Sequence, residues 1–201
     1  MKLKLSFLLI WRKLRHERVF SILNILGLGI GISVAVIVFL YTDYEFSFDR
    51  FNRDVDNIYL CVEDKETLDC TFPVPLSETL KNEIPEVEIA ANVLPWEIRK
   101  EISTEKGVFF ETCIYMDEGI FNIFSFKIIQ QNQDKIFPEQ NSVAVCESLA
   151  NKLFGSASLA IGKAITIDKK NTSTISAIFK DIPDNSSLKF EMAAPLKTAI
   201  K

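Results

Sequence analysis

The longest apolar stretch of the chain lies near its N-terminus. Residues 19–41 carry no charged side chain, and Ser21, Asn24 and Ser33 are their only small polar residues. A bilayer core about 30 Å thick needs roughly 20 apolar residues in a helix. The pattern therefore predicts a transmembrane helix over 19–41, which leaves residues 42–201 on one side of a membrane.

The charges on the two sides of this segment differ in sign. Six basic residues and one acidic residue precede it, whereas Asp43, Glu45 and Asp49 follow it before the first base, Arg50. Because basic flanks stay in the cytoplasm, we predict a cytoplasmic N-terminus and an external C-terminal part. A cleaved signal peptide is the alternative, but its apolar core would be only about 7–15 residues long and a small-residue cleavage site would follow it.

Residues 1–18 mix apolar and basic side chains, with Trp11 next to Arg12 and Lys13. A basic helix that contains tryptophan is typical of a segment lying flat in the lipid headgroup layer. We predict that residues 1–18 form a cytoplasmic amphipathic segment in contact with membrane lipid. The alternative is a helix start that simply continues the span.

Small residues recur on one face of the predicted membrane helix. Gly27, Gly31 and Ala35 are spaced by four and share a face with Asn24. Small residues at this spacing let a second helix approach closely. They predict a helix-packing seam, although glycine is also commoner in membrane helices in general.

The remaining chain alternates short strand-forming runs with isolated helical patterns. Strands are expected at 57–64, 67–73, 87–94, 97–104, 107–116, 125–130, 142–146, 163–168, 173–179 and 188–194. Helices are expected at 76–84, at 118–124 with Asp117 as N-cap, and at 147–154 with Gly155 as the C-terminal stop. This mixture predicts an α+β fold, in which one N-terminal transmembrane helix precedes a mixed α+β extracytoplasmic domain.

Composition and charge exclude several classes of function. Beyond residue 18 the chain has 17 basic and 26 acidic residues, a net charge of −9. A nucleic-acid partner is therefore not expected, because phosphate binding needs a positive surface. The only histidine is His16, so neither a Ser-His-Asp set nor a metal cluster with histidine is predicted outside the membrane. No enzyme activity and no cofactor are predicted, although a hydrolase that uses only carboxylates stays open.

The cysteines offer a structural prediction. If residues 57–73 form a hairpin with an even-length loop centred on Lys65 and Glu66, Cys61 lies opposite Cys70. Opposed residues have Cβ atoms about 4.5–5.5 Å apart, which is near the range of a disulfide. A disulfide between Cys61 and Cys70 and a half-buried pair of free thiols both remain open, and Cys113 and Cys146 are left unpaired.

Several segments, in order, resemble the N-terminal part of MacB/FtsX-type ABC transporter permeases. They are Trp11–Arg15, Phe20–Gly31, Tyr44–Phe51, Asp56–Tyr59, Met116–Phe126, Asn141–Gly155, Ile161–Lys163 and Asp181–Phe190. The resemblance covers nearly the whole chain. It implies that residues 42–201 are a MacB-like periplasmic core domain, held on the outer face of a bacterial inner membrane.

The resemblance also implies a role for the intact protein. A cytoplasmic ABC ATPase subunit would drive two permease protomers, whose membrane helices would pass the motion to the periplasmic domains and to a periplasmic partner protein or substrate. Such permeases have four or more membrane helices, whereas this sequence has one, so we expect a piece of a longer permease. The alternative function is a membrane-tethered periplasmic binding or sensing module without transport.

Overall fold

The computed structural model of the protein describes residues 16, 18–63, 70, 72–94 and 98–199. The chain divides into two compact units, one ending at Phe48 and the other beginning at Asp49. The helices are α1 (Arg18–Phe46), α2 (Leu76–Glu83), α3 (Gly119–Ile123), α4 (Glu147–Phe154), α5 (Ala157–Ala160) and α6 (Leu196–Ala199). The strands are β1 (Ile98–Thr104), β2 (Gly107–Met116), β3 (Ile128–Gln131), β4 (Ser142–Cys146), β5 (Ala164–Ile167), β6 (Asn171–Phe179) and β7 (Met192–Pro195).

Helix α1 makes up most of the described part of the first unit. Its 29 residues give a length of about 43 Å at 1.5 Å per residue, more than the apolar core of a bilayer needs. No residue of α1 is buried, and its length and apolar composition make it a candidate membrane span. Two of its hydroxyl groups bond within the helix: Ser33 Oγ donates to the carbonyl of Gly29 and Thr42 Oγ1 to that of Val38, each at 2.8 Å.

The second unit is built on a seven-stranded sheet in the order β3-β6-β4-β7-β2-β1-β5. The β4–β6 and β7–β2 pairs are parallel and the others are antiparallel. Strand β5 also pairs with the first half of β6, so six of the strands form a closed circuit of neighbours. Strand β3 pairs with the second half of β6 on the edge that β5 leaves open.

The core lies on the strands in the middle of this sheet. All residues of β4 are buried, as are Met192, Ala193 and Ala194 of β7. Helix α4 covers them with Leu149, Ala150 and Leu153, which are at most 2% exposed. Gly155 ends α4 with a φ of 90°, a conformation that glycine adopts without the steric cost that a side chain would add. The predictions of β4, α4 and this stop are confirmed.

Other local predictions need correction. Residues 58–63, 70 and 72 belong to no strand, so the expected hairpin over 57–64 and 67–73 is wrong for these positions. Within 87–94 only Val93 is paired, in an isolated bridge with Met116. The β-branched and aromatic residues that suggested strands there find no neighbouring strand to pair with, because propensity depends on this context.

Asp117 does not cap α3 as expected. The N-cap position is Glu118, which makes no side-chain capping hydrogen bond. The Asp117 carboxylate instead accepts hydrogen bonds from Asn92 N and Asn92 Nδ2, both at 2.9 Å. Asn92 Nδ2 also lies 2.8 Å from Ser77 Oγ, on α2. A long-range partner for the carboxylate thus replaces the local cap.

Candidate functional site

A set of hydrogen bonds joins the first residue of the second unit, Asp49, to residues 185–187. Asp49 N donates to the carbonyl of Asn185 at 2.9 Å. The Asp49 carboxylate accepts from Ser187 N at 3.0 Å, from the Ser187 hydroxyl, and from Ser186 Oγ at 3.3 Å. Hydrogen bonds to an ionised carboxylate are about twice as strong as those between neutral groups. The start of the unit is therefore tied to residues 185–187.

The residues after Asp49 also make contacts far along the chain. We call Asp49–Arg53 the junction segment. The Phe51 ring stacks on Phe126 with a centroid distance of 6.3 Å, and Arg53 N donates to Ser125 Oγ at 3.1 Å. Asn52 N donates to the carbonyl of Asp49 at 3.0 Å. The segment is thus held by ring stacking and by hydrogen bonds on both sides.

A cluster of phenylalanine rings packs around Phe51 of the junction segment. Phe121 lies at their centre, 2% exposed, with centroid distances of 5.6–6.2 Å to four other rings. The Phe cluster comprises Phe51, Phe121, Phe124, Phe126, Phe137, Phe179 and Phe190. Aromatic pairs with this geometry add about 0.5–1.5 kcal/mol each beyond area burial. The stacking of Phe51 on Phe126 therefore packs the junction segment against the core of the second unit.

The loop that holds Asp49 is itself fixed at its other end. We call residues 181–190 the 181–190 loop. Asp181 Oδ1 accepts a hydrogen bond from Ser148 N, in the first turn of α4, at 2.9 Å. Burial raises the pKa of the Asp181 carboxyl, but hydrogen bonds from Ser148 and Cys146 outweigh it and leave that pKa lowered. The carboxylate therefore stays ionised at neutral pH and keeps the loop on α4.

A cavity of about 170 Å³ lies beside this contact. It is lined by groups that include Cys146, Ser148, Asp181, Lys189 and Glu191. Burial raises the pKa of the Cys146 thiol to about 11, so the thiol is protonated at neutral pH and is a poor nucleophile. With His16 as the only histidine in the sequence, the cavity has no imidazole base, and its geometry does not define a hydrolytic site.

The four residues of the predicted seam lie on α1. Asn24, Gly27, Gly31 and Ala35 are exposed along the helix. A Cβ atom added at Gly27 or Gly31 would meet no other atom within 4 Å. Both positions are therefore open to a close approach by another helix, and the seam stays a prediction.

The cysteines fall into two pairs by exposure. Cys61 and Cys70 are exposed, whereas Cys113 and Cys146 are buried. Because Cys61 and Cys70 lie outside the strands, the cross-strand geometry proposed for their disulfide does not hold. The pairing stays a prediction. Within the described residues, no group of three or more His, Cys, Asp or Glu is arranged to hold a metal ion.

The sequence did not identify the Asp49 contacts. Both partners lie in segments that carry the family resemblance, but their proximity depends on the path of the sheet between them. A local signal exists at Asp49, whose φ is 56°. Aspartate and asparagine are several-fold enriched in this left-handed region, and the polar turn 184–187 offers the donors. The preference of aspartate for this conformation and the polar turn at 184–187 suggest a contact only once the fold is known to bring the two segments together.

Comparison with known proteins identifies the class of protein. The model of the MacB-like periplasmic core domain family matches residues 21–200. The chain belongs to this family, whose domains are parts of ABC transporter permeases. Its apolar N-terminal helix α1 is a candidate membrane span. The search of curated proteins gives no match.

Three solved structures are similar to this chain, and the first of them shows the same fold. The first is a domain of a protein described as a permease from Porphyromonas gingivalis, with 22% identity, a TM-score of 0.53, and 61% of this chain and 56% of that one covered. The periplasmic region of MacB from Actinobacillus actinomycetemcomitans has 13% identity and a TM-score of 0.46. The match covers 69% of this chain and 63% of that one. The extracellular domain of the noncanonic ABC-type transporter YknZ from Gram-positive bacteria has 13% identity and a TM-score of 0.48. The match covers 70% of this chain and 71% of that one. The chain thus spans 56% and 63% of the first two.

Proposed function

We propose that this chain is the N-terminal part of a permease subunit that couples cytoplasmic ATP hydrolysis to movement of its periplasmic domain. The observation that carries the proposal is the direct connection of two parts. An apolar helix of 29 residues ends at Phe46, and the second compact unit starts at Asp49. A membrane helix that leads into a domain through so short a turn is suited to transmit displacement.

The proposed topology follows from the charges. Residues 1–18 lie at the cytoplasmic face of a bacterial inner membrane and contact lipid, residues 19–41 cross it, and residues 42–201 are periplasmic. The partners are a cytoplasmic ABC ATPase subunit and a second permease protomer, which approaches along the seam of Asn24, Gly27, Gly31 and Ala35. A periplasmic protein is the partner for the outer domain. The net charge of −9 beyond residue 18 argues against nucleic acid.

Co-purification of the full-length permease with its ATPase, followed by hydrogen exchange, tests this function. In lipid nanodiscs, Mg·ATP should change the exchange of backbone amides in residues 98–199 when the ATPase is wild type or is trapped in its ATP-bound state. A variant ATPase that cannot bind ATP is the matched control and should give no change. An outer domain that does not respond to ATP would favour the membrane-tethered binding module instead.

A further inference from the structure

The junction segment is the covalent route from α1 into the second unit. α1 ends at Phe46 and the second unit begins at Asp49. A displacement of α1 that reaches the sheet along the chain therefore passes through this turn. If Asp49 were held by no other segment, the turn could bend and the displacement would stop there. Because Asp49 is bonded to residues 185–187, its displacement also moves those residues.

The 181–190 loop, which holds Asp49, leads directly into the core. Phe190, at its end, is 4% exposed and contacts Phe121, Phe126 and Phe179 of the Phe cluster. Strand β7 begins two residues later and lies between β4 and β2 in the sheet. The other end of the loop is fixed to α4 through Asp181. A displacement of Asp49 thus reaches the central strands through a loop that is tied at both ends.

Burial of Asn52 in the junction segment costs free energy. Asn52 is 3% exposed, yet neither its amide oxygen nor its amide nitrogen has a hydrogen-bond partner among the residues that the structure describes. A polar group buried in this way gives up its hydrogen bonds to water and gains none in return. Docking of the junction segment is therefore opposed at Asn52, and the hydrogen bonds of Asp49 work against this penalty. Loss of the Asp49 carboxylate should then release the segment.

We infer that Asp49 is a positioning residue for energy coupling: its carboxylate couples displacement of α1 to the 181–190 loop and β7. This inference rests on the proposed function. It adds a specific link, because the same domain could respond to ATP through other contacts. The Asp49 link predicts that a change of this one side chain separates ATP hydrolysis from movement of the domain.

The chain offers a matched control for Asp49. Asp168 is also an aspartate with positive φ, 50° against 56°, and its carboxylate also holds another segment. It accepts from Lys100 Nζ at 2.6 Å and from Glu101 N at 3.2 Å. Glycine at either position keeps the left-handed backbone without strain and removes the carboxylate. Asp49→Gly and Asp168→Gly therefore each remove a carboxylate that accepts hydrogen bonds from a distant segment, one at the junction and one at the β5–β6 turn, where Asp168 also forms an ion pair with Lys100.

The experiment measures hydrogen exchange of peptides covering residues 181–195 in the full-length permease, with its ATPase in nanodiscs, with and without Mg·ATP. Asp168→Gly should keep the ATP-dependent change within about twofold of wild type, and Asp49→Gly should reduce it by about fivefold or more. The ATPase rate should stay within about twofold of wild type in both. Asp49→Asn keeps an acceptor for Ser187 N and should give an intermediate response, which guards against misfolding of the glycine variant.

The outcomes separate the inference from the proposed function. If wild type responds to ATP and Asp49→Gly responds equally, the Asp49 link is wrong while the proposed function stands. If Asp168→Gly loses the response as fully as Asp49→Gly, general destabilisation explains the effect and the link is again wrong. If wild type itself does not respond, the proposed function fails and the inference fails with it.

Discussion

Helix α1 and the sheet of the second unit use the same apolar residues in opposite ways. In α1, isoleucine, leucine, valine and phenylalanine side chains are 49–78% exposed. In the sheet, Ile114, Val143, Val145, Ile175 and Ile178 are at most 1% exposed. The sheet unit supplies its own apolar surroundings, whereas α1 needs them from outside. The comparison shows that residue type alone does not distinguish a core from a membrane span; length and partners do.

The polar side chains of α1 and of the sheet unit also differ, in where they find their hydrogen-bond partners. In α1 the hydroxyls of Ser33 and Thr42 donate to carbonyls four residues earlier, each at 2.8 Å. In the sheet unit Ser176 Oγ reaches across the chain to the carbonyl of Ile136 at 2.6 Å. A lone helix in lipid must satisfy its polar groups within itself. A domain with a core can use partners far apart in the sequence, and the Asp49 contacts belong to this second kind.

The largest effect is expected for a change at the centre of the Phe cluster. Phe121→Ala should lower the free energy of unfolding of the outer domain by about 3–5 kcal/mol, because a buried ring is removed and a cavity is left. Phe110 is the control, since its ring is 53% exposed, and Phe110→Ala should cost about 1 kcal/mol or less. Denaturant unfolding in detergent measures both. Equal losses would contradict the assignment of Phe121 to the centre of the core.

Two equally exposed valines should respond very differently to a charge. Val34 on α1 is 55% exposed and Val108 on β2 is 53% exposed. Val34→Lys should raise the apparent free energy of membrane insertion by about 2.5–3.5 kcal/mol. Val108→Lys should change the stability of the outer domain by only about 0.5 kcal/mol. Insertion of α1 in a reporter host and unfolding of the domain give the two values; an unaffected Val34→Lys variant would argue against a span.

The exposed cysteines test the compartment. In protein expressed in the periplasm, peptide mapping without reductant should recover Cys61 linked to Cys70, and Cys61→Ser should cost roughly 2–3 kcal/mol in the chain-entropy account. Cys113 and Cys146 should resist alkylation at pH 8, because burial raises their pKa values to about 12 and about 11. Unlinked Cys61 and Cys70 in the folded protein would refute the disulfide.

The smallest effect is expected on the face of α1. Gly31→Leu should weaken association of the membrane helix with a second helix by about 1–2 kcal/mol, since leucine holds the neighbouring backbone farther away. Gly29 is the matched control, because it lies two residues away and points to another face. A membrane two-hybrid assay reports the association. A signal that Gly31→Leu and Gly27→Leu leave unchanged would exclude the seam.

Local patterns predicted much of the fold. Leu76, Leu80 and Ile84 at helical spacing predicted α2, which the structure has at Leu76–Glu83. The strand expected at 107–116 is present as β2 over the same residues. These elements are set by nearby residues, through periodicity. By contrast, the pairing of β5 with both β1 and β6 depends on residues far apart, and no local pattern encodes it.

The candidate site was less predictable for the same reason. The seam and cysteine residues were chosen from spacing alone, and the structure leaves both as predictions. Asp117 was expected to form a local cap but binds Asn92 instead. The Asp49 carboxylate accepts a hydrogen bond from Ser187 N, 138 positions away in the sequence. Contacts of this range become visible only once the sheet between the two segments is folded.

The topology of the chain tests the central claim most directly. Alkaline phosphatase fused after Thr198 should be active, and a fluorescent protein fused to the N-terminus should fluoresce and stay on the uncleaved chain. This result is predicted because six basic residues precede the span and three acidic residues follow it. A silent phosphatase would contradict an α1 that carries its domain to the outer face, and loss of the N-terminal tag by cleavage would contradict α1 as a permanent span.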